Sequence, residues 1–507
     1  MTVPRLRAVF NDSPVAVQGL LFLAIGAVAA LGLAPQSHWF GTLLALAMVF
    51  AALPAARTPR HSAIWLWLFG LGYFAVALRW LIEPFQVEAE IFGWMAPIAL
   101  AFMAAGLALF WGLAGWGCVR LTRRNEHRAL TLVLTWSVAE LARAYVFTGF
   151  PWAGLAQIWV DTPVAQGLRI VGPHGVGALT LLLAASPFMP AAEWRMRVGR
   201  TMAILALMVG ILPYNIAPAP RDLEGRPIVR IVQPNAPQRE KWDPQKAGTF
   251  FWRQVDASAA EPRPNLIVWP ETAIPQLYNN ASETLKIVAD AADGVAVVFG
   301  MQRADEAGYY NSLLLMGPSG EVTEIYDKHH LVPFGEYMPA AWIFSRLGIK
   351  GLAQQAAGGY ASGPGPQVLN LGAEVGTALP LICYEAVFPQ HAKSRQGRPD
   401  FLLQITNDAW FGAYAGPQQH LAQARMRAIE QGLPMVRSAN TGISAMIDSR
   451  GQVVDSLPMD VDGFVDVALP MARKTTFYAQ SGDWPVALLL LVALSGLIMR
   501  GFTKIND

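Results

Sequence analysis

Three short motifs place a carboxylate, an amine and a thiol just beyond strand-like runs of the chain. Glu271 follows the apolar residues 266–269, Lys328 comes after another strand-like run, and Cys383 follows residues 379–382. Ligands of open α/β sheets bind at the carboxyl ends of strands, so these three side chains can converge. A carboxylate that takes a thiol proton creates a strong nucleophile, and an ammonium with a backbone N–H can stabilise the oxyanion formed on an acyl carbon. The three residue types together meet the chemical requirement for covalent acyl chemistry.

Each of these residues also has a plain structural interpretation. Glu271 can be a turn residue, Lys328 a surface charge and Cys383 a buried packing residue. The second cysteine, Cys118, lies at the end of an apolar span on what the charge pattern makes the opposite side of a bilayer. A disulfide needs Cα atoms within about 7 Å, which a hydrocarbon layer about 30 Å thick forbids. An unpaired thiol facing an oxidising compartment is a candidate nucleophile.

The composition indicates a membrane protein of more than one domain. The chain has 507 residues, of which 53% are hydrophobic and 15% charged. Runs of about 17–25 apolar residues can cross a bilayer. Such runs lie near residues 15–34, 39–55, 63–82, 92–118, 129–147, 164–188, 199–217 and 484–500. We therefore predict an α-helical bundle of eight transmembrane spans.

The distribution of basic residues predicts the topology of these spans. Lys and Arg cluster on alternate connections, at Arg5 and Arg7; Arg57 and Arg60; Arg120, Arg123, Arg124 and Arg128; Arg195, Arg197 and Arg200; Arg500 and Lys504. Cytoplasmic loops carry the excess of basic residues, which places both termini in the cytoplasm. Seven spans after a cytoplasmic N-terminus leave residues 218–483 on the other side of the membrane.

The region between the seventh and eighth spans has the pattern of an α/β domain. Short apolar runs alternate with turns and polar helices, at residues 228–232, 266–269, 295–299, 312–316, 377–382, 401–405 and 443–447. Continuous apolar runs are typical of strands covered on both faces. We predict a transmembrane domain at 1–220, a catalytic α/β domain at 221–483, and an eighth helix with a cytoplasmic tail at 484–507.

The motifs resemble those of the nitrilase (carbon–nitrogen hydrolase) superfamily. The resemblance rests on residues 269–271 (WPE), 327–336 (DKHHLVPFGE) and 382–385 (ICYE), supported by 406–411 (TNDAWF) and 437–442 (RSANTG). It implies an αββα sandwich with Glu271 as general base, Lys328 as oxyanion stabiliser and Cys383 as nucleophile. Such a domain between seven spans and one span resembles the apolipoprotein N-acyltransferase family.

This second resemblance implies a reaction, its partners and a location. An acyl chain would pass from a phospholipid, typically phosphatidylethanolamine, to Cys383 as a thioester. The α-amine of the diacylglyceryl cysteine of a lipoprotein would then accept it, with ping-pong kinetics. We expect a monomer in the bacterial inner membrane, with a periplasmic catalytic domain, no cofactor and no nucleic-acid partner.

Further residues are expected around the triad. Glu336 matches a second family glutamate that supports the lysine, and Tyr384 and Glu385 flank the nucleophile. Trp242, Trp410 and Asn407 are candidate substrate-binding residues, although the tryptophans can equally pack in the core or at the membrane interface. His329, His330 and His420 lack the spacing of metal ligands, and no metal site is expected.

An apolar segment at residues 340–349 follows the Glu336 motif. It includes Trp342 and Phe344, which we interpret as part of a membrane-dipping lid; buried packing is the alternative.

Two rival functions remain. A membrane-anchored nitrilase-type amidase would share the triad, although a small polar substrate needs no spans. A transporter would need buried charges along its spans. Glu140 and Arg143 are the main candidates for such charges, and they lie near a span end.

Overall fold

The computed structural model describes residues 14–122, 124–210, 223–339 and 359–503, which form two compact units. The helical unit lies within residues 1–218, 414–422 and 476–507. The sheet unit lies within residues 219–413 and 423–475. The helix Gly416–Gln431 is divided between the two units, with the boundary after Ala422.

The helical unit is built from apolar helices. They are α1 (Val15–Ala29), α2 (Trp39–Ala52), α3 (Pro59–Ala77), the single turn α4 (Ala89–Phe92), α5 (Ala96–Leu121), α6 (Arg128–Tyr145), α7 (Leu168–Ala185), α8 (Trp194–Gly210), α12 (Phe477–Ser481) and α13 (Trp484–Thr503). A helix that is apolar on all sides is typical of a lipid or deeply buried environment. Each predicted span overlaps one of these helices.

Length and composition support fewer membrane spans than the eight that were predicted. Within the described ranges, three helical stretches are long and apolar enough to cross a membrane, at Val15–Gly32, Ala89–Leu121 and Pro163–Phe188. Pro59–Ala77 and Arg79–Gln86, bent by 47°, form a fourth if the pair is one span. Trp39–Ala55 and Trp484–Met499 are shorter apolar helices. The total of eight stays a prediction.

Glu140 and Arg143 form an ion pair within the helical unit. Arg143 donates to both carboxylate oxygens of Glu140, at 3.0 and 2.8 Å, and to the carbonyl of Trp152 at 2.8 Å. Glu140 also accepts a 2.7 Å hydrogen bond from Trp111 Nε1. A buried charge is tolerated when it is paired and hydrogen-bonded. The pair therefore links α6 to the chain around Trp152, and its geometry is that of a structural contact.

A break in α7 is required by close packing. Gly172 lies at a kink with φ of 63°, immediately before Pro173. A Cβ atom on Gly172 would lie 2.0 Å from the ring of Tyr478, so no other residue fits. Tyr478 in turn donates to Asp483 at 3.0 Å. The segment that leads into α13 thus packs against the kink.

The sheet unit contains two six-stranded sheets. The first has the order β12-β1-β2-β3-β4-β5 and the second the order β11-β10-β9-β8-β7-β6. The strands are β1 (Ile228–Gln233), β2 (Leu266–Val268), β3 (Ala296–Asp305), β4 (Gly308–Met316), β5 (Val322–Asp327), β6 (Leu369–Asn370), β7 (Thr377–Ile382), β8 (Phe401–Thr406), β9 (Met435–Ala439), β10 (Ser444–Ile447), β11 (Val453–Leu457) and β12 (Gly463–Ala468). The helices are α9 (Ala247–Ala259), α10 (Ser282–Ala292) and α11 (Gly416–Gln431).

Both sheets share one pattern of strand directions. Strands β1, β2 and β3 run parallel, with antiparallel neighbours at each side. Strands β7, β8 and β9 also run parallel, again with antiparallel neighbours. The carboxyl ends of each parallel group meet at one edge of their sheet, which is where this arrangement places a site.

The apolar core explains why the strand sequences are continuously apolar. Alternate residues of a strand point to opposite faces. Leu266 and Val268 of β2 pack in a core shared with residues of the second sheet, including Ala378, Leu403 and Val436. Ile267 points the other way, into a second cluster formed with α9 and α10. The two faces of β2 are thus both buried, and the predicted nitrilase-like sandwich with two sheets is confirmed.

Candidate active site

Cys383 lies where β7 ends and a short 3-10 helix, Cys383–Val387, begins. Its backbone has φ of 50°, a left-handed conformation that costs a residue with a Cβ atom about 1–3 kcal/mol. Glu385 holds this bend, because Oε2 accepts a 2.7 Å hydrogen bond from the Ile382 N–H. Oε1 of Glu385 accepts from the His329 N–H at 2.8 Å. The side chain thus joins the chain next to Cys383 to the chain next to Lys328.

Glu271 lies in a turn that follows β2. Its carboxylate is buried, with Oε1 accepting from Asn311 Nδ2 at 2.6 Å and Oε2 accepting from the Asn407 N–H at 2.8 Å. The turn approaches β3 so closely that a Cβ on Gly300 would lie 2.6 Å from Glu271 Cα. Glycine at position 300 therefore allows the turn to pack, and the two hydrogen bonds fix the direction of the carboxylate.

Lys328 follows β5 directly and its side chain is 1% exposed. Nζ donates to Glu336 Oε1 at 2.8 Å and lies 3.8 Å from Glu271 Oε1. Burial acts to lower the pKa of Lys328, but Glu336 and Glu271 outweigh it and raise the pKa above its ordinary value. The amine is therefore a fixed ammonium between two carboxylates.

The thiol of Cys383 is protonated at rest. Burial, and after it the charge of Glu271, raises its pKa well above the ordinary value, while Lys328 and a hydrogen bond from Thr406 oppose the rise. The protonated thiol is thus the favoured form, and a base is needed to take its proton when it acts as a nucleophile. Glu271 interacts electrostatically with both Cys383 and Lys328. The structure therefore brings the three predicted catalytic residues together.

The predicted supporting residues lie around this triad. Glu336 accepts from Lys328, and also from Asn311 Nδ2 at 3.0 Å and the Val332 N–H at 2.8 Å. The buried ring of Tyr384 packs edge-on against Phe388, at 4.9 Å between centroids. Glu336 thus orients the lysine, whereas Tyr384 contributes to an aromatic cluster behind the nucleophile.

The predicted substrate-binding residues have different environments. Asn407 is buried, donating to Gln238 at 2.8 Å and accepting from Asn440 at 2.8 Å, so it braces Glu271 through its backbone. Trp242 and Trp410 are 43% and 36% exposed. Trp342 and Phe344 lie outside the described residues, as does the whole 340–349 segment, so the lid stays a prediction.

His329, His330 and His391 form a packed cluster, whereas His420 stacks on Trp152 in the helical unit. His329 Nε2 lies 3.0 Å from His391 Nδ1, and the His330 and His391 rings are 4.7 Å apart. His329 Nδ1 lies 2.6 Å from Glu385 Oε1. In the parts of the chain that the structure describes, no group of three or more His, Cys, Asp or Glu side chains is arranged to hold a metal ion.

A second polar network reaches Cys383 through buried residues that sequence analysis did not predict. Arg437 pairs with Asp408 and donates to Gln404 at 2.6 Å. Gln404 donates to the carbonyl of Cys383 at 3.3 Å, and Asp408 accepts from Thr406 at 2.8 Å. Asp408 and Arg437 lie within the family motifs quoted above. That position was the one sequence signal for their structural role. The network ties the Cys383 backbone to the neighbouring strands.

Comparisons with known proteins agree with this fold. The family described as "Carbon-nitrogen hydrolase" matches residues 228–477. The two-sheet fold and this match define residues 228–477 as a carbon–nitrogen hydrolase domain. The family described as "Apolipoprotein N-acyltransferase N-terminal domain" matches residues 25–186.

Several curated apolipoprotein N-acyltransferases match most of the chain. The apolipoprotein N-acyltransferase of Rhizobium leguminosarum bv. trifolii (strain WSM2304) is 35% identical over 522 residues, covering 96% of each chain. That of Caulobacter vibrioides (strain ATCC 19089 / CIP 103742 / CB 15) is 38% identical, covering 87% of this chain and 86% of the other. A CN-hydrolase superfamily protein from Xanthomonas campestris has a TM-score of 0.36 and 21% identity, covering 52% of this chain and 96% of that chain. The chain belongs to the apolipoprotein N-acyltransferase family.

Proposed function

We propose that this membrane protein transfers an acyl chain from a phospholipid, through a thioester on Cys383, to the α-amine of a diacylglyceryl cysteine at the N-terminus of a lipoprotein. The observation that carries the proposal is the buried group in which Glu271 and Glu336 flank Lys328 beside a protonated Cys383 thiol. Family membership over nearly the whole chain supports the substrate class.

In the first half-reaction, Glu271 takes the thiol proton as Cys383 Sγ attacks the ester carbonyl of the donor. A C–S bond forms, the ester C–O bond breaks, and the proton passes from Glu271 to the departing glycerol oxygen. The Lys328 ammonium and a backbone N–H stabilise the oxyanion between these events. Because Lys328 stays charged, no proton transfer is needed to prepare it.

In the second half-reaction, the lipoprotein amine attacks the thioester. A C–N bond forms, the C–S bond breaks, and Glu271 carries the amine proton to the departing sulfur. The same base thus acts in both directions, which gives ping-pong kinetics.

The proposal extends to the setting of the enzyme. Both termini are cytoplasmic, eight spans cross the inner membrane of a bacterium, and the catalytic domain at 221–483 is periplasmic. The distribution of Lys and Arg over the connections supports this arrangement. Phosphatidylethanolamine as donor, a monomeric enzyme and the absence of a cofactor complete the proposal.

Detection of the acyl-enzyme tests the function. Purified enzyme is incubated with phospholipid vesicles and analysed by mass spectrometry. We expect one acyl group on Cys383, lost on addition of a diacylated lipopeptide, and none in Cys383→Ala. Cys118, buried in the helical unit, serves as the control, and Cys118→Ser should acylate normally. An unmodified Cys383 together with hydrolysis of small amides would support the amidase alternative instead.

A further inference from the structure

A second buried lysine lies beside the base and has no role in the steps above. Lys241 belongs to the connection between β1 and α9 and is 6% exposed. Its Nζ donates to the Glu271 carbonyl at 3.0 Å and to Thr272 Oγ1 at 2.7 Å. Both acceptors belong to the turn that presents the Glu271 carboxylate. A buried ammonium is costly, so its use on this turn indicates a function.

The turn needs this support because its backbone is strained. Thr272 has φ of 47°, in the left-handed region that residues with a Cβ atom rarely adopt. The turn is attached to β3 at its two ends, by Gly300 N–H to Pro270 O at 3.0 Å and Ala273 N–H to Gly300 O at 2.8 Å. Lys241 binds the middle, at the carbonyl of the base itself. Loss of Lys241 would therefore release the part of the turn that aims Glu271.

The charge of Lys241 also affects the balance of the site. Two carboxylates, Glu271 and Glu336, contact the single ammonium of Lys328. Lys241 interacts electrostatically with Glu271 and with Cys383. Its positive charge offsets the second carboxylate, and at the short distances of a buried site such a charge favours thiolate formation.

Lys241 acts through Glu271 and has little room to contact a substrate itself. The cavity beside Lys241, which Phe250, Gln254 and Asn440 also line, has a volume of about 10 Å³. That volume is about the size of one water molecule. Beyond its hydrogen bonds to the Glu271 turn, Lys241 therefore faces a space of about one water molecule.

We propose that Lys241 is a positioning residue for acyl transfer: its ammonium fixes the turn at residues 270–272 and supplies the positive charge that offsets the second carboxylate. This proposal rests on the proposed function. It adds Lys241 to the three charged groups already described, which are Glu271, Lys328 and Glu336. The role proposed for Lys241 differs from that of Lys328, which faces the oxyanion.

The charge requirement gives a pH signature. Burial lowers the pKa of Lys241 to about 8, against the opposing effects of Glu271 and Cys383. Lys328 and Cys383 do not titrate there, because the pKa values of both groups are raised well above this range. The acylation rate should therefore fall as the pH rises through about 8, where Lys241 loses its charge.

Three variants test the proposal. Lys241→Met removes the charge at similar length, Lys241→Arg keeps a charge at all accessible pH values, and Lys246→Met is the matched control on an exposed lysine of the same connection. We expect Lys241→Met to reduce the acylation kcat roughly 10²-fold with little change in KM, since a slightly misplaced base costs about that much. Lys241→Arg should regain part of the rate and lose the decline near pH 8. Lys246→Met should match the wild type.

Alkylation of Cys383 by iodoacetamide, followed by mass spectrometry, supplies a readout independent of lipid chemistry. Slower alkylation in Lys241→Met than in the wild type is expected. Wild-type alkylation and acylation rates in Lys241→Met would overturn the proposal, as would an active Lys241→Arg that keeps the decline near pH 8. If Lys241→Met fails to fold, the pH profile of Lys241→Arg tests the proposal by itself. A wild type that is alkylated but never acylated by phospholipid would contradict the proposed function, and alkylation would still test Lys241.

Discussion

The Nδ2 atom of Asn311 lies 2.6 Å from Oε1 of Glu271, and the same atom lies 3.0 Å from Oε1 of Glu336. One side-chain amide thus donates to the proposed base and to the carboxylate that holds Lys328. The backbone of Asn311 contributes as well, because its carbonyl accepts from the Lys328 N–H at 2.9 Å. Asn311 therefore sets the spacing of the two carboxylates around the ammonium.

Replacing Asn311 should slow the reaction without unfolding the protein. A hydrogen bond to a charged group contributes about 1.5–3 kcal/mol, which corresponds to roughly 10- to 100-fold in rate. We expect Asn311→Ala to lose that much in single-turnover acylation, and Asn311→Asp more, since it adds a third carboxylate. Asn279→Ala, on an exposed asparagine of the same unit, is the control. Equal rates for Asn311→Ala and the wild type would show that the amide is dispensable.

Loss of either charged member of the triad should stop thioester formation. Glu271→Gln removes the base and Lys328→Met removes the oxyanion donor, and each should reduce the rate by about 10²–10³ or more. Quenched-flow mass spectrometry of the acyl-enzyme measures this step. The exposed pair Glu283 and Lys286 on α10, 2.7 Å apart, provides matched Gln and Met controls. Full acylation in Glu271→Gln at neutral pH would eliminate Glu271 as the base.

The histidine cluster predicts that acid destabilises the sheet unit. Burial lowers the pKa of His330 to about 4, whereas an unfolded histidine titrates near 6.5. The unfolded chain therefore binds more protons between these values, so the free energy of unfolding falls as the pH drops through this window. One such group contributes up to about 1.4 kcal/mol per pH unit.

A ring without a titratable group tests this linkage. His330 packs against Phe388 at 4.2 Å between centroids, so His330→Phe keeps an aromatic contact. Its Nε2 is buried without a hydrogen-bond partner among the described residues, and the replacement should not destabilise at pH 7.5. Thermal unfolding between pH 7.5 and 4.5 should show a smaller loss of Tm in His330→Phe than in the wild type. If Tm falls equally with pH in both proteins, His330 does not contribute to the pH dependence of stability.

The proposed topology can be read from thiol labelling. In a background without the two native cysteines, single cysteines are placed at Ser282 and Asp507. An impermeant maleimide, added to intact cells with a permeabilised outer membrane, should label position 282 only. Labelling at 507 and not at 282 would invert the orientation.

Sequence analysis predicted the strands that precede Glu271, Cys383 and Asn407 because their apolar runs are continuous. Residues 266–269, 377–382 and 401–405 all overlap strands with buried residues. Strand β9 was missed because buried Arg437 interrupts its pattern, and β11 because it is largely exposed. An edge strand and a buried ion pair are specified by neighbours in space, which local periodicity does not report.

The same distinction applies to the site. The triad is visible because each member follows a strand in a motif. Asn311 and Lys241 contact Glu271 across 40 and 30 positions of sequence, and nothing local marks either residue. Their function becomes evident only once the Glu271 turn and its neighbours have coordinates.

The triad is divided between the two sheets. Glu271 and Lys328 follow strands of the first sheet, whereas Cys383 and Asn407 follow strands of the second. Before the sheets dock, the thiol has neither the proposed base nor the ammonium beside it, so no group is placed to take its proton as it attacks or to stabilise an oxyanion. A chain still being inserted, or one misassembled in the membrane, therefore lacks the groups that the proposed acyl transfer requires. The site is complete only in the finished sandwich, so acylation of Cys383 would report correct assembly.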